Sequence, residues 1–92
     1  MKYAWNKEKN ELLKKERQIS FEDVIVSIQH GGLLGIEPHY NTEKYGHQSI
    51  MFVTIHQYVY LVPYVYDAKT DEVFLKTIIP SRKYTRQWKE HL

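Results

Sequence analysis

From Ile50 to Ile79 apolar and aromatic side chains fall at alternate positions, and this alternation restricts the chain to folds built on a sheet. In IMFVTIH, Met51, Val53 and Ile55 share one face. In YVYLVPYVY, Val59, Leu61, Pro63 and Val65 face one way, while Tyr58, Tyr60, Val62, Tyr64 and Tyr66 face the other. VFLKTII returns with Val73, Leu75, Thr77 and Ile79 on one face and Phe74, Lys76 and Ile78 on the other. A short turn near Gln57 and the polar DAKTDE separate the runs, so the segment reads as a three-strand meander. Pro63 brings no N–H to a ladder, which predicts an edge or a bulge at that point.

The first third of the chain has a different period. KYAW at 2–5 predicts a short strand, with Trp5 packing beneath the helix that follows. Asn6 is placed to cap that helix, which runs to about Arg17 with Glu8 in its first turn and a narrow stripe at Leu12 and Leu13. Ser20 and Asp23 have the spacing of a capping box, and Ile19 and Val24 that of a hydrophobic staple. Phe21, Val24, Ile25 and Ile28 then follow i, i+3, i+4, i+7, and Gly31 and Gly32 end the second helix. Residues 6–30 thus read as a helical hairpin. Residues 31–49 hold all four glycines and Pro38 and predict a connecting loop, with a short extended piece near Glu37–Tyr40. Pro80 stops the last strand and Ser81 can cap a short closing helix. The fold class expected is α+β: a helical hairpin on a small antiparallel sheet, βααβββα, in one domain spanning 1–92.

Composition narrows the setting. A chain of 92 residues without cysteine uses no disulfide, and nothing points to an oxidising compartment. MKYAWNKEKN has no apolar run of the signal-peptide kind, and no stretch approaches the roughly 20 apolar residues that span a bilayer. The expected location is the cytoplasm. The net charge of +2 conceals a division: residues 1–17 and 76–92 are basic, while the middle carries Lys44 and Lys69 against seven carboxylates. Segregated positive charge suits a polyanion. In the N-terminal helix the i,i+4 pairs Lys7–Glu11 and Glu11–Lys15 account for the charges without a ligand.

The densest candidate site is PSRKYTRQWK at 80–89, approached by Lys76. Arg82, Arg86 and Lys89 align at i, i+4, i+7, with Tyr84 and Trp88 on another side. Cations near a helix N-terminus hold phosphate by charge and backbone N–H together. A closing amphipathic helix also shows a solvated basic face with no ligand at all. Alternating tyrosines on a strand can stack splayed bases, although tyrosine equally suits a half-buried sheet face. Of the histidines His30, His39, His47, His56 and His91, none pairs at helical metal spacing. His39 and His47 fall in the loop, where a base or a substrate ligand can sit. No nucleophile-elbow motif is present. Metal-free RNA cleavage needs a base for the 2′-OH, a cation for the phosphorane and an acid for the 5′-oxygen, and this chain supplies the residue types.

Two terminal stretches carry a resemblance. YAWNKEKNELLKKERQISFEDV resembles the opening of BrnT-type toxins, an aromatic-x-W-[DN] start, a charged helix with an Asn, and an [IV]-S-F-E-[DE] second-helix start. TIIPSRKYTRQW resembles the ending of the same family, and YVYLVPYV with DEVFLKTIIPSRK looks like a related subgroup of small toxins. The likeness covers nearly the whole chain and is weakest over 31–49. It implies a RelE-like fold, ribosome-independent endoribonuclease activity and a cognate antitoxin, usually a ribbon-helix-helix DNA-binding protein; with the residue types above, cleavage without metal or other cofactor is expected. It carries over to Ser81, Arg82, Lys83 and Arg86, and Lys76 falls nearest the basic position of the final strand. A family histidine in the preceding strand has no counterpart; Tyr64 or Tyr66 occupies that region. On this reading Arg82 and Arg86 grip the scissile phosphate, Lys76 counters transition-state charge and Tyr64 serves acid/base chemistry or stacking. Ser81, Lys83 and Lys89 contact RNA. The alternative is a non-catalytic RNA- or antitoxin-binding module of the same fold.

Overall fold

The computed structural model describes residues 1–90; His91 lies outside the described residues. After the edge strand β1 (Lys2–Trp5) come two helices, α1 (Lys7–Arg17) and α2 (Phe21–Gln29). The Asn6 side chain accepts from Lys9 N–H at the start of α1. The capping box of α2 is complete: Asp23 N–H donates to Ser20 Oγ at 3.2 Å, and Ser20 N–H donates to Asp23 Oδ2 at 2.9 Å. Ile19 and Val24 are both buried beside it, as a staple requires. Trp5 stacks on Phe21, centroids 5.7 Å apart, and so joins β1 to the helical layer. On α1 only Leu13 of the expected pair is buried; Leu12 faces solvent.

The segment 31–49 is not a plain loop. It contains the strand β2 (Leu33–Pro38) and the single turn α3 (Thr42–Tyr45). The chain continues as β3 (Ser49–Ile55), β4 (Tyr58–Asp67), β5 (Glu72–Leu75), β6 (Ile79–Pro80) and α4 (Arg82–Glu90). The sheet order is β1-β5-β4-β3-β2, with β6 also on β4. The architecture is α+β, but the sheet is mixed: β1 runs parallel to β5 and every other pairing is antiparallel.

The expected third strand, 73–79, is broken in two, and Pro63 supplies the reason. Tyr64 pairs with Leu75, and Lys76 N–H still donates to Pro63 O at 2.8 Å. The reciprocal bond cannot form, because proline has no N–H. The chain leaves β4 and rejoins it where Leu61 pairs with Ile79, so three steps along β4 face four along the returning chain. The extra residue is a bulge, and it changes which side chains point inward. Ile78, not Ile79, completes the buried row begun by Val73 and Leu75. Pro63 is therefore inside a central strand, at the position where its partner changes.

One sheet face packs on α1 and α2. Met51, Val53, Ile55, Val62, Leu75 and Ile78 meet Leu13, Phe21 and Val24 there. Arg17 ties the end of α1 to the bulge, its guanidinium donating to Ile78 O at 2.7 Å. The opposite face carries α4, whose Tyr84 meets Phe52 edge-on at 4.9 Å. The radius of gyration, 13.0 Å, is close to the about 12 Å of a single packed body of this length.

Candidate nucleic-acid interface

The closing helix begins as the sequence requires. Pro80 precedes it, and Ser81 Oγ accepts from Tyr84 N–H at 3.2 Å. Thr85 fixes the helix to the sheet: its hydroxyl accepts from Val59 N–H and donates to Ser81 O, each at 2.7 Å. Thr85 is buried, and Tyr84 and Trp88 sit half-buried to either side of it in the helix, lining a groove with Leu34 and Phe52. Helical geometry then turns Arg82, Arg86 and Lys89 away from the sheet, and all three are exposed. Arg82 and Arg86 share a shallow depression of about 380 Å³ with Lys89 and Glu90. On their other side they flank a second depression with Lys83 and Gln87. Lys83 also lies over the Tyr84 ring, 5.4 Å from its centroid. Among the described residues no ion pair engages these four cations.

The remaining candidates lie elsewhere. Lys76 is exposed beyond the end of β5, its ammonium 5.0 Å from the Phe74 centroid. It lines a depression with Val65, His47 and two carboxylates, Asp67 and Glu72. Tyr64 belongs to the α1–α2 side of the sheet, opposite Ser49 on β3 and Leu75 on β5, and is half-buried against the core. Arg82 with Arg86, Lys76, and Tyr64 thus line three different depressions. Ser81 has a structural task, since its hydroxyl caps α4 and its N–H donates to Val59 O.

The tyrosine row falls on one face as the alternation predicts, and that face is the core side. Burial pushes the Tyr60 phenol up from its ordinary value, away from use near neutrality. Among the histidines, His39 is buried between Tyr40 and Tyr45, with Nδ1 accepting from Asn41 N–H at 3.0 Å. His30 Nδ1 lies 2.8 Å from Val26 O. Among the described residues no group of three His, Asp or Glu side chains is placed to hold a metal ion. No helix among them is long and apolar enough to cross a membrane.

Sequence reasoning missed Thr85 and Arg17. A Thr between a tyrosine and an arginine carries no periodic signal, and Arg17 reads as one more charge at a helix C-terminus. Compared with known proteins, the chain has no significant match to a family model, a curated protein or a solved structure.

Proposed function

We propose that this chain binds RNA through the exposed basic face of α4. The observation that carries the reading is the alignment of Arg82, Arg86 and Lys89 on the solvent side of a helix whose other side is fastened to the sheet. Such a face presents guanidinium forks to successive phosphates from a helix whose backbone is already ordered. The contacts are to backbone phosphates, so they supply affinity and leave base choice to other groups.

Anisotropy of a labelled single-stranded RNA, measured across salt concentrations, tests it. Removing one cation that neutralises a phosphate should flatten the slope of log affinity against log salt by about 0.7. The double variant Arg82→Gln/Arg86→Gln is therefore expected to flatten it by about 1.4 while keeping the circular dichroism of the parent. An unchanged slope removes α4 from RNA binding.

A second reading is the RNA-cleaving toxin of a type II toxin–antitoxin pair, neutralised by a ribbon-helix-helix antitoxin. The succession of a strand, two helices, an antiparallel β3–β4–β5 run and a closing helix favours it, as do the two terminal motifs. Cleavage by the expected set needs Lys76 and Tyr64 to act beside Arg82 and Arg86, and their placement in separate depressions favours binding over cleavage. Growth arrest on expression, lost in Arg82→Ala and in Lys76→Ala, supports the toxin. A chain that retains RNA without cutting it supports the binding module.

A further inference from the structure

The helical layer covers only part of its sheet face. Beyond it lies a cavity of about 560 Å³, with Met51 and Val73 as its nearly dry floor and Ile36 as one wall. Among the described residues the lining takes nothing from α1–α4 and no lysine, arginine or carboxylate side chain; its one charged neighbour is the α-ammonium of Met1, already paired with Asp71 Oδ2 at 3.1 Å. Three lining residues are tyrosines, Tyr3, Tyr64 and Tyr66. Size and lining are those of a site for a neutral organic ring, which falls in the range of about 300–1,000 Å³.

Strand register arranges the walls. Tyr3 on β1 and Tyr66 on β4 both stand opposite Val73 on β5, one on each side of it. Two strand spacings separate their Cα atoms, about 9–10 Å. A flat ring in contact on both faces needs walls about 7–8 Å apart, a little less than that backbone spacing. Tyr66 is held in place: its hydroxyl donates to Asp71 Oδ1 at 2.7 Å. Among the described residues no hydrogen bond engages the side chains of Tyr64, His47 or Ser49, and no polar side-chain atom is buried without a partner. Their polar heads are open to whatever enters.

We propose that this cavity receives one unstacked nucleobase, lying over Val73 between Tyr3 and Tyr66, with its polar edge toward His47 and Ser49. The choice of a nucleobase over another flat ring rests on the RNA-binding reading; the cavity does not. A lining without free charged side chains suits a base, whose charge is left outside on the phosphates, and stacking on tyrosine accepts any base.

Nucleosides separate the two claims, because they carry no phosphate for α4 to hold. Uridine, cytidine and adenosine are titrated into the full chain while the Met51 methyl and tyrosine ring signals are followed by NMR. At least one nucleoside should saturate these signals. Tyr66→Leu, at a half-exposed position, should weaken binding fivefold or more, and Tyr40→Leu, which lies outside the cavity, should not change it. No saturation, equal binding by Tyr66→Leu, or phenylalaninamide binding as tightly as the nucleosides overturns the proposal. Nucleoside binding that survives Arg82→Gln/Arg86→Gln, in a chain whose RNA affinity those changes leave untouched, would uphold the cavity and sink the role of α4.

Discussion

Asn10 is 3% exposed in the middle of α1, and both ends of its carboxamide are engaged. Oδ1 accepts from Phe21 N–H at 2.8 Å, and Nδ2 donates to Glu22 Oε1 at 2.7 Å. Phe21 N–H is one of the donors a helix start leaves without an intrahelical partner, so Asn10 completes α2 from a neighbouring helix. Asn10→Ala should cost about 1–3 kcal/mol, read from urea unfolding followed by circular dichroism, because it strands a buried donor. The bond from Asn10 holds the Glu22 carboxyl below its ordinary value. A carboxyl lowered in the folded state stabilises above its unfolded value, and that contribution is lost as pH falls through the lowered one. The difference between parent and variant should therefore narrow on acidification without closing, since the Phe21 bond does not titrate. A difference that does not depend on pH would detach Glu22 from the pair. By periodicity Asn10 was only one polar residue in a charged helix, although the terminal resemblance includes an Asn there without giving it a task. Periodicity sorts apolar positions, and it has no means of marking an amide that is buried for its hydrogen bonds.

Elements whose signals are local could be read from the residues. The caps at Asn6 and Ser20, the staple at Ile19 and Val24, and the alternation of β3 and β4 all depend on neighbours within a few positions. Two elements escaped because a bulge breaks the period. In β2 the register slips between Leu33 and Gly35, so LLGIEP never alternates, and Gly35 and Pro38 disguise it further as loop. In 73–79 the alternation looks regular, yet Pro63, ten or more positions away, inserts the extra residue. The consequence is measurable. Ile78 is fully buried whereas Ile79 is half-buried, although unbroken alternation would put Ile79 in the core row. Ile78→Ala should cost about 2–5 kcal/mol, as for a filled core position, and Ile79→Ala distinctly less. Equal costs in urea titrations would mean that the ladder runs through without the bulge.

Across the whole molecule, the two basic ends of the chain do not merge into one cleft. The terminal motif was legible as a cationic helix, because i, i+4, i+7 spacing fixes a face whatever the helix packs on. Its relation to Lys76 was not, since five residues and a bulge separate Lys76 from Arg82 and the sequence does not state the angle between them. The structure puts Lys76 beside Asp67 and Glu72, where a phosphate would meet two carboxylates as well as one ammonium. Two carboxylates lining the same depression lower the positive potential that an approaching anion meets there. Lys76→Gln is accordingly expected to leave RNA affinity within about twofold of the parent at moderate salt, while Arg82→Gln lowers it several-fold and flattens the salt dependence by about 0.7. Equal losses in the two variants would require RNA to pass over both places, and would return Lys76 to the phosphate-binding set that the terminal resemblance implies.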